Sequence, residues 1–366
     1  GYKSDQPPLY HSLVALLTSQ IDVSEPPAFK FTWEPASRRL IDIVLPRALL
    51  VRTEDETWPL KGVFLAWSAG RWVSILLSTA TIVMTYIIAR EIFSDQSWLA
   101  LASAGTLAFI PRYIFTGAVL NDDNLIGLLL AVFLFLIVML FKYQTRASSR
   151  FVLLGVVVGL ALNTKNTALP VPAETVVFIS WIAWRAKWAL KTFVSRLLIF
   201  GVTTALIASV WFGFLLFHFN QIQEYGLLPG ILRPILLGGN SEEDAARVLS
   251  VLPGGVAGSE DISRLTTDSI FEWWRFFFTQ FWHVPVHGVS PSYSINTLLL
   301  IALALCILAV IGWVGRWQSY RAQRLWLGVL GVHVLTILLI PLLRFVFLGR
   351  INDTAQARHL LFPAAP

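Results

Sequence analysis

Two carboxylates and two amides stand in a row in LNDDNL, where Asn121, Asp122, Asp123 and Asn124 separate the apolar runs FIPRYIFTGAV and IGLLLAVFLFLIVML. A second polar turn, LNTKNTALP, carries Lys165, and Glu174 follows one or two turns into the next apolar run. Arg71 interrupts an earlier run, and Arg344, Arg350, Arg358 and His359 surround the last polar turn, RINDTAQARH. Charges at membrane depth are costly and usually face a cavity or a partner. In this mixture a carboxylate can take a proton from a hydroxyl, while lysine and arginine hold phosphate oxygens through charge-assisted hydrogen bonds. The set suits a substrate that carries a phosphate on a lipid. A plainer reading stands beside it: Asn121 and Asn124 form a solvated turn that caps a helix starting near Leu125, Lys165 snorkels to the interface, and Arg71 pairs with a carboxylate of a neighbouring helix. His283 and His287 lack an acidic partner and are weak evidence for a metal.

The elements that must position these residues follow from composition. Of 366 residues 56% are hydrophobic and only 14% charged, with a mean hydropathy of +0.67, whereas a soluble domain carries about 25% charged residues. The expected fold class is therefore an all-α polytopic membrane protein. Apolar blocks long enough to cross a bilayer predict eight spans, at 62–88, 97–116, 124–142, 151–167, 168–184, 197–219, 295–315 and 325–348. Lys and Arg concentrate in the short connections 89–96, 142–150, 185–196 and 316–324, which the positive-inside rule makes cytoplasmic. Alternation then places LNDDNL, TKNTALP and the long segment 220–294 outside. The net charge of +6 is thus topology and argues against nucleic-acid binding, since the cations form no single patch. Cys306 is the one cysteine, so neither an internal disulfide nor a Cys-based metal site is available.

Four regions are expected: an outer-face segment at 1–61 with a short surface helix, from Leu9, Leu13, Leu16 and Leu17 at helical spacing; a first transmembrane bundle at 62–219; an outer-face domain at 220–294; and C-terminal transmembrane helices at 295–366. The outer domain contains SEEDAARVLSVL, where Ser241 can cap a helix with an acidic first turn. It also contains FEWWRFFFTQFWHVPVHGVSPSY, whose aromatics suit a membrane interface. Because residues 1–61 read as external without a preceding apolar helix, the sequence is expected to be a piece of a longer chain, lacking an upstream helix and further C-terminal ones.

QPPLYH (6–11), Arg71 in SAGRWVSILLSTATIVMTYIIAREIF, FIPRYIFTGAVLNDDNL (109–125), GVVVGLALNTKNTALPVP (155–172), FFFTQFWHVPV (276–286) and ARHLLFPAAP (357–366) resemble, in order, the signatures of bacterial membrane glycosyltransferases of the GT-C class. These are similar to protein O-mannosyltransferases and lipid A aminoarabinose transferases. The resemblance implies a GT-C-like multi-helix bundle with amphipathic helices on its outer face. It also implies a polyprenyl-phosphate-linked sugar donor, a protein, lipid or glycan acceptor, and an outward-facing site in the plasma or inner membrane. By position it implies roles for Asn121 and Asp123, for Thr164 and Lys165, and for Arg358 and His359, with Tyr10, Arg71 and Glu174 as further substrate-binding candidates. Asp123 and Asp5 are the catalytic candidates in the chain; the family's acidic motif is expected upstream of QPPLY, so the main general base is expected outside this sequence. Three departures stand out: Asp122 where the family commonly has Asn, His359 where it has Tyr, and one extra apolar residue before Pro363. The resemblance requires no cofactor and leaves room for a divalent metal, Mg or Mn. A transporter or lipid flippase would also hold charges around a cavity, but it usually shows internal repeats and none is visible; a non-catalytic scaffold is the other alternative.

Overall fold

A computed structural model describes residues 7–24, 30–33, 48–51, 57–144, 146–218, 267–282 and 323–348, with part of 300–315. Asp5, SEEDAARVLSVL, His283, His287, Arg350, Arg358 and His359 lie outside the described residues. The chain is helical almost throughout its described length, as an all-α polytopic membrane protein requires, because hydrocarbon satisfies no backbone group. A short antiparallel ribbon of β1 (Lys30–Trp33) and β2 (Ala48–Val51) is the addition that sequence periodicity did not show.

Helix α1 (Leu9–Thr18) forms where the leucine spacing predicts a helix; Leu16 and Leu17 are exposed and Tyr10 is buried. The bundle that follows consists of α2 (Gly62–Ile92), α3 (Ser97–Ala108), α4 (Pro111–Gly117), α5 (Asp123–Tyr143), α6 (Ser148–Leu162), a 3₁₀ turn (Asn166–Ala168), α7 (Val171–Arg185) and α8 (Leu190–His218). Beyond it are α9 (Thr267–Trp282) and α10 (Arg324–Leu348). Among the described residues five helical segments are long and apolar enough to span a membrane, or six if α3 and α4 count as one.

Two of the eight predicted spans need correction, and a third is only partly described. The segment at 97–116 bends by 67° between α3 and α4. Pro111 has no N–H to continue the helix and is pre-set for the first helical position, so α4 restarts there. The segment at 151–167 ends as a helix at Leu162, after 15 residues, because the polar turn Asn163–Pro170 folds into the bundle. The span at 295–315 falls partly outside the described residues.

Helix α5 is apolar on every face and lies at the centre, its Ile126, Leu130, Phe133, Leu134 and Ile137 all buried. Against it α2 turns a stripe of small hydroxylated residues, Ser74, Ser78, Thr81 and Thr85, all buried. Thr81 and Thr85 donate their hydroxyl protons to the carbonyls of Leu77 and Thr81 at 3.0 and 2.9 Å. Small residues let helices approach closely where lipid tails compete with large apolar side chains.

Helices α6 and α8 pack more tightly still. A Cβ on Gly155 would sit 2.9 Å from the Phe200 carbonyl oxygen, and one on Gly159 would sit 2.5 Å from Ile207 Cβ and 3.2 Å from the Thr204 carbonyl oxygen. The pair is a small-xxx-small crossing. Gly159→Ala is expected to cost about 1–3 kcal/mol through overpacking, read as a lowered unfolding temperature of the purified protein.

The described part of the aromatic segment lies in α9, which turns Trp273 and Phe277 onto Leu338 and Phe345 of α10, while Phe281 and Trp282 pack near Leu107, Ile110 and Tyr113. Phe271 and Trp274 remain exposed. Helix α9 therefore also joins α4 to α10.

Candidate functional site

The LNDDNL turn is not solvated. Asn121, Asp122, Asp123 and Asn124 are all buried, which replaces the reading of a water-exposed capping turn. Asp122 is the N-cap of α5 without a side-chain cap bond. Asn121 Oδ1 instead accepts the Asp123 N–H at 3.1 Å. Asn124 accepts a hydrogen bond from Ser78 Oγ at 2.8 Å, and its amide donates to the carbonyls of Thr116 and Val119, each at 3.2 Å. One side chain thus fastens the α4–α5 connection to α2. Gly117 permits that approach, since a Cβ there would lie 2.9 Å from Ser78 Oγ.

The second turn meets the first. Lys165 Nζ bonds Asp123 Oδ1 and lies 3.2 Å from Asp122 Oδ1. Asp123 is 0% exposed and Lys165 6%, so the three charges lie out of water. Both carboxylates sit at the start of α5, where the helix dipole favours negative charge. Asp123 Oδ2 is buried and has no hydrogen-bond partner among the described residues. Asn163 braces the second turn from behind: Nδ2 donates to the Ile207 carbonyl at 2.7 Å and Oδ1 accepts the Trp211 N–H at 3.1 Å, while its own carbonyl accepts the Leu9 N–H at 3.0 Å.

Tyr10 closes the arrangement from α1. Its hydroxyl accepts the Asn121 N–H at 3.1 Å and lies 2.6 Å from Ser74 Oγ. Burial pushes the Tyr10 phenol above its ordinary value, and the Ser74 and Asn121 hydrogen bonds draw it partly back. With no exposed surface, Tyr10 reaches the site through Asn121. Among the described residues Arg71 pairs with no helix carboxylate. Its Nε donates to the Ala118 carbonyl at 2.8 Å, leaving an exposed guanidinium beside the LNDDNL turn.

Glu174 lies elsewhere, in the first turn of α7, where Oε1 is 2.8 Å from His333 Nδ1 of α10. Both side chains are almost wholly buried, and Phe133 stacks obliquely on the imidazole at 5.7 Å. Sequence reasoning missed His333, although an ionisable residue inside GVLGVHVLTILLI meets the same test that singled out Glu174. Removing it as His333→Leu would leave Glu174 without this partner, an expected loss of about 1–3 kcal/mol. Glu174→Gln, which keeps a hydrogen bond to the ring, should cost less; thermal unfolding of the two variants compares them.

Among the described residues no three of His, Cys, Asp and Glu come together as a metal site would need. The arrangement offers one restrained carboxylate pair, one ammonium that orients it, one free carboxylate oxygen and an adjacent exposed guanidinium.

Residues 62–218, which contain both polar turns, match the family model described as dolichyl-phosphate-mannose-protein mannosyltransferase. No curated protein and no solved structure matches. The match supports a membrane glycosyltransferase of the mannosyltransferase type, in agreement with the GT-C resemblance of the ordered motifs.

Proposed function

We propose that this transferase takes its sugar from a polyprenyl-phosphate-linked donor and delivers it to an acceptor hydroxyl on the extracytoplasmic side of the cell membrane. The observation that carries the reading is the Asp123 carboxylate, which has one oxygen held by Lys165 and the other buried without a hydrogen-bond partner among the described residues. That second oxygen has no exposed surface in this state, so it accepts the proton of an acceptor hydroxyl only as substrate binding opens the turn. In such a step the acceptor oxygen bonds the anomeric carbon, the bond from that carbon to the phosphate oxygen breaks, and polyprenyl phosphate departs with the electron pair. Asp5 remains the second candidate base.

Lys165 is enclosed by the two aspartates, so its part is to fix the direction of the carboxylates. The cation for the donor phosphate is then sought in Arg71, exposed at the same turn, and in Arg358 with His359. Asn121 and Tyr10 hold the turn that presents Asp123.

The outward placement rests on the Lys and Arg distribution and is tested by labelling. In a version lacking Cys306, a cysteine at Gln20, just after α1, should react with an impermeant thiol reagent on intact cells. One at Ser149, at the start of α6, should not. Sealed vesicles give the functional counterpart: right-side-out vesicles supplied with external acceptor should form product and inverted ones should not. Equal product from both, or equal labelling of both cysteines, would overturn the outward site.

A further inference from the structure

At the opposite end of the bundle from the Asp–Lys cluster, where α7 passes into α8, lies a cleft of about 250 Å³ lined by Ser180, Ala183, Trp184, Trp188, Leu190 and Phe193. Its walls are aromatic and apolar, and Trp184 is 77% exposed at its edge. Trp188 rests edge-on against Phe151 of α6 at 6.0 Å, which fixes the indole in place. Yet its Nε1 is buried and has no hydrogen-bond partner among the described residues. A buried donor of that kind normally finds an acceptor.

The backbone beside the cleft is unusual. Helix α7 ends with the Trp188 N–H donating to the Ala183 carbonyl at 2.9 Å and the Lys187 N–H donating to the Trp184 carbonyl at 3.3 Å. This is a Schellman termination, whose left-handed position normally holds glycine. Here Lys187 occupies it, at φ 50°. A side chain kept in that conformation costs stability, and such outliers point to a role for the side chain.

The stretch of chain that forms the cleft carries charge of one sign. From Thr175 to Gln223 the sequence has no acidic residue, while Arg185, Lys187 and Lys191 flank the cleft and are exposed. The cleft also opens at the first turn of α8, whose free N–H groups favour an anion.

We propose that this cleft is a specific site for an anionic membrane phospholipid in the leaflet at the basic end of the bundle. The headgroup phosphate meets Arg185, Lys187 and Lys191, the indole N–H of Trp188 donates to a phosphate or ester oxygen, and the acyl chains run along the exposed apolar face of α8. Tryptophan at headgroup depth with cations beyond it is the arrangement that an interface favours. The site is independent of the transferase reading.

The test exchanges the purified protein into micelles holding phosphatidylglycerol and phosphatidylcholine in equal amounts, then counts retained lipids by native mass spectrometry. Wild type should keep one phosphatidylglycerol in preference to phosphatidylcholine by about tenfold, and Arg185→Ala/Lys187→Gly/Lys191→Ala should lose that preference. Lys187→Gly alone separates function from folding: it should unfold at the same or a higher temperature than wild type while retaining less phosphatidylglycerol. Trp188→Phe, which removes only the donor, should also retain less. A control triple, Arg90→Ala/Arg146→Ala/Arg150→Ala, should retain the lipid as wild type does. Wild-type retention by the Arg185/Lys187/Lys191 variant would overturn the site, as would an equal loss in the control triple, which would mean bulk charge alone attracts the lipid.

Discussion

Lys165→Met is expected to destabilise the protein by about 3–5 kcal/mol, because removing one partner of a buried ion pair leaves the other charged and uncompensated. Two carboxylates lose their counter-ion at once here, since Asp122 and Asp123 both face Lys165 in a setting that is almost closed to water. Methionine replaces most of the lysine stem and lacks only the terminal ammonium, so packing changes little and the loss mainly reports charge. Adding Asp122→Asn to Lys165→Met should recover part of the stability, because one of the two stranded charges is then gone. Thermal unfolding of the purified proteins measures both. If Lys165→Met unfolds as wild type does, the ammonium does not hold the carboxylates and the cluster is misassigned.

Asp123→Asn is expected to lower sugar transfer by about 100-fold or more, the range that a positioned proton acceptor contributes, while the protein still folds. Asparagine has nearly the shape of aspartate and its carbonyl oxygen can still accept the hydrogen bond from Lys165, yet an amide takes no proton from a hydroxyl. Asp122→Asn should do less. Its contact with Lys165 is 3.2 Å, and the resemblance to the family places an amide at that position. Rates normalised to the folded fraction check the order. A larger loss in Asp122→Asn than in Asp123→Asn would reverse the two roles.

How far these arrangements were legible in the sequence differs from residue to residue. The apolar blocks announced the bundle because hydrocarbon imposes both length and composition on a span. Pro111 was visible, but its consequence, a 67° bend, was read as an uninterrupted span because composition alone does not register a missing N–H. The pairing of Lys165 with LNDDNL was not foreseen: both turns were placed on the outer side, but no periodicity brings together residues 42 positions apart. The burial of Asn121 and Asn124 was missed because asparagine between two helices usually faces water. Their partners are hydroxyls and carbonyls of distant segments, which carry no sequence mark. Asn163, Ser74 and Ser78 escaped for the same reason. His333 did not have to escape, since a histidine in an apolar span is itself a signal. Lys187 was counted only as one more cation of a basic connection, because its left-handed φ has no sequence mark when the residue is not glycine.

The most direct test of the central claim is the choice of donor. Purified protein is given an acceptor with the same radiolabelled sugar in two forms, linked to polyprenyl phosphate and linked to a nucleotide, with Asp123→Asn run beside it. Product from the lipid-linked sugar alone, and its near disappearance in Asp123→Asn, is the predicted result. Product from the nucleotide-linked sugar, or undiminished product from Asp123→Asn, would contradict a lipid-linked transferase built around Asp123.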